Sequence, residues 1–182
     1  MASFYDFTVT TGKGEPLPLS RFKGKVVLVV NTATGCGFTP QYEDLEKMYR
    51  AYHDKGLEIL DIPCNQFLNQ APGTDKEIHE FCRLHYDTSF GQMKKSDVNG
   101  ENQLPLYAFL KSQKGFEGFD KGVKTFILKK VVSNIDPDYE QNADIKWNFT
   151  KFVVDKNGNV AARFEPTRDM RDVDAFIAAL LA

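Results

Sequence analysis

The chain has 182 residues, 42% of them hydrophobic and 13% aromatic, enough for one sizeable core, since domains commonly run about 100 to 200 residues. Its 23 Lys and Arg against 25 Asp and Glu leave a formal net charge of -2, which provides no basic footprint for nucleic acid. The longest apolar runs, Val26 to Val30 and Ala175 to Ala182, fall well short of the roughly 20 residues that span a bilayer. The opening residues Met1-Ala2-Ser3-Phe4-Tyr5-Asp6 have neither the basic start nor the apolar run of a secretory signal, so the expected location is cytoplasmic. Three widely spaced cysteines do not read as a disulfide framework; in a reducing compartment they pack, bind metal or react.

Apolar β-branched segments alternate with amphipathic ones, which predicts a single α/β domain over residues 1–182. Lys25 to Ala33 is a strand, continuously apolar from Val26 to Val30, as suits a central strand buried on both faces. A helix follows, with Thr39 as its N-cap, Pro40 in its first turn, Tyr42, Leu45, Tyr49 and Tyr52 at helical spacing, and Gly56 at its end. Leu57 to Pro63 is the second strand. Thr74 to Tyr86 is the second helix, with Ile78, Phe81, Cys82 and His85 on one face. Further on, Gln92 to Val98 fits a short strand and Leu104 to Lys111 a short helix. Phe149 to Phe164 fits a hairpin turning at Asp155-Lys156-Asn157-Gly158, and Met170 to Leu181 a closing helix. Between Ser112 and Ile145 lies a Gly-, Lys- and Asp-containing stretch with one apolar and basic island, Thr125 to Val132, which reads as an insertion and a candidate interaction surface.

Cys36 stands between Gly35 and Gly37, after the strong strand and before a helix start. Unpaired N–H groups and the helix dipole there favour an anion, hence a thiolate. An unperturbed thiol of pKa about 8.5 is only about 3% ionised at pH 7, and a drop of two units needs about 2.7 kcal/mol. His79, Cys82 and His85, with Cys64 as a fourth group, have a spacing that a zinc site could use. An apolar helical face explains it as well, and no metal is expected. Gly12-Lys13-Gly14 lacks the form of a phosphate-binding loop and reads as a surface turn.

Three separated stretches carry a resemblance. Asn31 to Thr39, NTATGCGFT, is similar to the segment around the peroxidatic residue of glutathione peroxidases. Pro63 to Gly73, PCNQFLNQAPG, resembles the family's second signature, and Trp147-Asn148-Phe149 its third. The resemblance implies a thioredoxin-like fold: a central mixed sheet flanked by helices, an N-terminal β extension, and an insertion at about 116–144 before the last hairpin. It implies reduction of hydrogen peroxide and organic hydroperoxides by Cys36, surrounded by Gln70, Trp147 and Asn148. Those three are neutral donors that stabilise a thiolate or a developing alkoxide without titrating. Cys82 matches the resolving cysteine of the thioredoxin-using members, which captures a sulfenic acid before further oxidation. Cys64 has no implied role. No cofactor is implied, and the resemblance leaves open that position 36 is selenocysteine in the natural protein.

The chain departs from the family pattern at Thr34-Gly35, at Ala71, where Glu is usual, and at Gly91, where Pro is frequent. Its 116–144 segment resembles the assembly loop of oligomeric, glutathione-using enzymes. Cys82 therefore favours thioredoxin as reductant, while the insertion keeps glutathione and a homo-oligomer open and suggests narrower access for bulky lipid hydroperoxides. Two other functions use the same residues: a peroxide sensor that passes oxidation to a partner, and a binding module in which the cysteines only pack.

Overall fold

The computed structural model describes residues 1–182. After a turn of 3-10 helix at Phe4–Asp6, β1 (Thr8–Thr10) pairs antiparallel with β2 (Pro16–Pro18), forming the N-terminal β extension. There follow β3 (Val26–Thr32), α1 (Gln41–Tyr52), β4 (Leu57–Pro63), α2 (Asp75–Tyr86), α3 (Pro105–Gln113), α4 (Val123–Ile135), β5 (Lys151–Val154), β6 (Val160–Phe164) and α5 (Met170–Leu181). The main sheet runs β4-β3-β5-β6; β3 is parallel to β4 and antiparallel to β5, which is antiparallel to β6. This is a mixed sheet flanked by helices, the thioredoxin-like arrangement. No helix is long and apolar enough to cross a membrane.

Every residue of β3 is buried, as its unbroken apolar run requires of a strand covered on both faces. The hairpin strands are shorter than their pattern suggests. Phe149 adopts φ 64°, which no strand residue can hold, so β5 starts two residues later. The turn is built by Asp155, whose Oδ1 accepts from the N–H groups of Asn157 (2.8 Å) and Asn159 (3.0 Å), with Gly158 at φ 84°.

Three expectations change. Gln92 to Val98 is not a strand but a set of isolated bridges, Thr11 to Met93, Asp61 to Gln92 and Asp97 to Gln103. Its backbone is shared between the two sheets, Met93 N–H donating to Asp61 (2.7 Å) and Lys94 N–H to Thr10 (2.8 Å), so no continuous ladder forms. His85 is exposed, as is His79, while Cys82 turns into the core, so His85 does not share the buried face of α2. The third is the 116–144 insertion, where no helix is expected and 13 residues form α4. That helix buries Thr125, Leu128 and Val132 and exposes Val123, Phe126 and Ile127. Before and after it, Phe116 and Phe119 close on Tyr139, with ring centroids 5.9 and 6.1 Å away.

Candidate active site

Cys36 hangs from the carboxyl end of β3, in a loop of bends and turns that lasts until α1 begins at Gln41. The hydroxyl of Thr39 holds this loop, accepting from the Cys36 N–H (3.0 Å) and donating to the Ala33 carbonyl (2.8 Å). Thr39 is therefore a loop brace and not the helix cap; Pro40 occupies the cap position with no side-chain bond. A Thr39→Val protein keeps the shape of the side chain but leaves two buried backbone groups unpaired. We expect it to lose about 2–3 kcal/mol in urea unfolding and to oxidise Cys36 more slowly. Unchanged stability would show that the brace is dispensable.

The Gln70 loop is tied to the same bend. The Gln70 carbonyl accepts from the N–H groups of Thr34 (3.2 Å) and Gly35 (2.9 Å). A Cβ on Gly35 would stand 3.4 Å from that oxygen, whereas one on Gly37 would meet open space. One flanking glycine thus permits close approach and the other leaves room beside the sulfur. Leu68 (φ 53°) and Asn69 (φ 56°) precede Gln70 in the left-handed region, and Asn65 accepts from Ala71 N–H (2.9 Å) to close the turn. Non-glycine residues in this region store strain, and such strain collects at functional sites.

Trp147 and Asn148 come from the loop that leads into β5, which flanks β3 on the edge opposite β4. The Trp147 carbonyl accepts from Asn31 Nδ2 (3.2 Å) and Thr150 Oγ1 (2.9 Å), and Phe149 N–H donates to the Asn31 carbonyl (2.6 Å). The Phe149 ring, fully buried, stands edge-on to Tyr42 at 5.4 Å. Sequence reasoning does not single out Asn31 or Thr150; the available signal is an Asn placed inside a strand that is otherwise apolar. Asn148 Nδ2 donates to Gln70 Oε1 (3.0 Å), joining the two loops.

The structure brings together the four residues read from the three motifs. Cys36 is 7% exposed, and its Sγ accepts from Phe38 N–H at 3.3 Å. Burial pushes the thiol up from its ordinary value; the Phe38 N–H, the Trp147 and Asn148 side chains and the Thr39 N–H pull it back only in part. This corrects the expected resting thiolate. The regular helix starts five residues after Cys36, beyond the single turn over which its dipole acts, and desolvation outweighs the donors.

The other two thiols are further from reactivity. Burial drives Cys64 up to about 11, and burial with the Asp61 charge drives Cys82 up to about 12. Asp61 is itself 1% exposed and pushed up to about 6 by burial, with Thr32 Oγ1 (2.5 Å) and the Tyr42 hydroxyl (3.0 Å) donating to it. Tyr42 also neighbours Cys82. Cys36 and Cys82 are both free thiols.

A thioredoxin-like sheet that presents one buried cysteine to a ring of neutral donors defines a cysteine-centred redox enzyme. The family model for glutathione peroxidase matches residues 4–111. The chain is 47% identical over 177 residues, 97% of this chain and 98% of the other, to a glutathione peroxidase homolog of Neisseria meningitidis. It is 47% identical over 181 residues, 99% of this chain and 98% of the other, to the glutathione peroxidase-like peroxiredoxin 2 of Saccharomyces cerevisiae. Among solved structures, T. cruzi GPX1 superposes with a TM-score of 0.71 at 31% identity, covering 99% of this chain and 97% of that one. The chain belongs to the glutathione peroxidase family, and it is a thiol peroxidase.

Proposed function

We propose that Cys36 attacks the peroxide and that Gln70, Trp147 and Asn148 stabilise the charge that develops. The Trp147 and Asn148 side chains meeting one sulfur, with Gln70 joined to Asn148, carry the reading. The sulfur attacks one peroxide oxygen, the oxygen–oxygen bond breaks, and two electrons pass from sulfur to the leaving oxygen. Cys36 becomes a sulfenic acid, and water or an alcohol departs. The proton that the thiol gives up is the one that the leaving hydroxide or alkoxide needs, so a thiol that rests protonated still closes the balance. Neutral donors strengthen as charge appears and need no proton of their own.

Cys82 then resolves the sulfenic acid, releasing water and forming a disulfide, and an external dithiol, with thioredoxin favoured over glutathione, restores both thiols. Cys82 is 1% exposed on the inner face of α2, and a disulfide needs Cα atoms within about 7 Å. Helix α2 therefore unwinds or shifts during turnover. Its capping box, Thr74 accepting from Glu77 N–H (3.2 Å) and Glu77 accepting from Thr74 N–H (2.7 Å), is the feature that re-forms it on reduction.

The test is NADPH consumption with hydrogen peroxide, thioredoxin and thioredoxin reductase. Cys82→Ser is expected to retain one stoichiometric oxidation of Cys36 and to lose at least about tenfold in thioredoxin-coupled turnover. In the unmodified protein, hydrogen exchange over residues 74–86 is expected to rise on oxidation. Full turnover by Cys82→Ser with thioredoxin, or equal protection in both redox states, would remove Cys82 from the cycle.

A further inference from the structure

Strand β4 carries a carboxyl group into the core. Asp61 is buried among the apolar residues Ile59, Leu60 and Ile62. It stands opposite Val30 in the register with β3, so Thr32, two residues on, shares its face and donates to Oδ1 (2.5 Å). The Tyr42 hydroxyl of α1 donates to Oδ2 (3.0 Å), and Cys82 of α2 is that hydroxyl's other neighbour. Tyr107 of α3 also lies near the carboxylate, its buried hydroxyl without a hydrogen-bond partner. The 92–93 segment adds backbone only, Met93 N–H donating to the Asp61 carbonyl (2.7 Å). The side chains facing Asp61 from β3, α1, α2 and α3 are thus a hydroxyl, two phenols and a thiol, with no cation among them.

Two hydrogen bonds replace only part of the hydration that a carboxylate loses on burial, and a buried charge without a counter-ion is costly. Cys82 lies on the face of α2 that packs inward, buried together with Ile78. When α2 leaves, that cover goes and water reaches the carboxylate. We infer that Asp61 is a positioning residue for Cys82: its charge, held beneath α2 without a cation, disfavours the docked helix and so releases the resolving thiol. The inference rests on the reading of Cys82 as the resolving thiol and names the group that governs its release. Burial raises Asp61 to about 6 while α2 is docked, whereas a hydrated aspartate titrates near about 3.9. The docked helix therefore holds the proton more tightly. Docking is firmest below about pH 4, weakens as the pH rises to about 6 and stays weakened above, by up to about a hundredfold in the opening equilibrium.

The experiment follows hydrogen exchange of residues 74–86 in the reduced protein from about pH 4 to about pH 8, corrected for intrinsic rates and with β3 as reference. It compares the unmodified protein with Asp61→Asn and Thr32→Val. Relative to Asp61→Asn, the α2 opening constant of the unmodified protein is expected to rise about tenfold or more across this range. The difference between the two proteins is decisive, because Glu77, held below the usual carboxylate range by the Thr74 cap, biases α2 in the opposite direction. Thr32→Val deletes one donor to the carboxylate and should move the midpoint of the rise to higher pH. After one equivalent of peroxide at pH 7, Asp61→Asn should form the Cys36–Cys82 disulfide about tenfold more slowly, with sulfenic acid formation unchanged within about twofold. Equal α2 exchange in the unmodified protein and Asp61→Asn would overturn the inference, as would an unmoved midpoint in Thr32→Val. A change confined to β3 would also overturn it, since Asp61 would then act on global unfolding alone. Full thioredoxin-coupled turnover by Cys82→Ser would defeat the resolving reading itself, a distinct result because the exchange is measured without peroxide.

Discussion

Cys36→Ser is expected to lose about 10⁴-fold or more of peroxide-reducing activity, because a hydroxyl in the same place has no accessible anion and little nucleophilicity. The loss should appear with every hydroperoxide and every reductant, since in the proposed cycle all of them meet at this sulfur. Serine is slightly smaller and fits the loop braced by Thr39, so the unfolding free energy should stay within about 1 kcal/mol. The paired measurement is mass spectrometry after one equivalent of peroxide: the unmodified protein gains a trappable sulfenic acid or a disulfide, and the variant gains neither. Turnover that survives the substitution would move the chemistry to another cysteine. Cys64 and Cys82, pushed by burial to about 11 and about 12, are poorly placed for it.

The largest expected effect on stability lies at Lys151, on β5, a fully buried amine that burial lowers to about 7 against the partial opposition of Glu165 and Asp44. Its Nζ donates to Gln41 Oε1 (2.7 Å) and to the Phe149 carbonyl (2.7 Å). Between pH 7 and about 10.4, the unfolded chain holds a proton here that the folded chain has lost. Stability therefore rises with pH across that window, by up to about 5 kcal/mol at about 1.4 kcal/mol per unit. Below pH 7 both states are protonated, and the penalty of the buried charge is fully present. Lys151→Met removes the titration along with two hydrogen bonds. Its stability relative to the unmodified protein should be several kcal/mol more favourable at pH 7 than at pH 10. Urea unfolding at the two pH values checks this, and a difference that does not change with pH would show that Lys151 stays charged inside the fold.

Elements whose local pattern coincides with their packing are legible in the sequence. Leu57–Pro63 and Met170–Leu181 fall where the apolar spacing puts them, because each is bounded by a residue that cannot continue it or that caps it: Gly56 at φ 104° and Asp169, which accepts from Arg171 N–H. Helix α4 shows in the sequence only as an apolar island. Its apolar residues lie on both faces, and Gly122 gives its start no side-chain cap, so periodicity has nothing to register.

Cys36, Gln70, Trp147 and Asn148 are marked by motif. Their convergence leaves no sign in the spacing, since Gln70 and Asn148 meet across 78 positions. The direction of the Cys36 shift escapes the sequence because burial is a property of the assembled core, while the glycine-flanked turn is local. Asn31 and Thr39 lie within the first motif, yet a hydrogen bond to a distant or folded-back backbone leaves no periodic trace.

The Trp147 loop is fastened to β3 through Asn31, and the segment just before it is clamped separately. Asn99 exchanges hydrogen bonds with Ile145 (2.8 and 2.9 Å), and Lys111 bonds Asp144 (2.8 Å). The 116–144 insertion thus enters and leaves through anchors that belong to the scaffold. Changes confined to its exposed face, at Val123 or Phe126, leave these anchors of the Trp147 loop in place. The surface of the insertion and the seating of the Trp147 loop thus rest on separate mechanical supports, so one can vary in sequence without loosening the other.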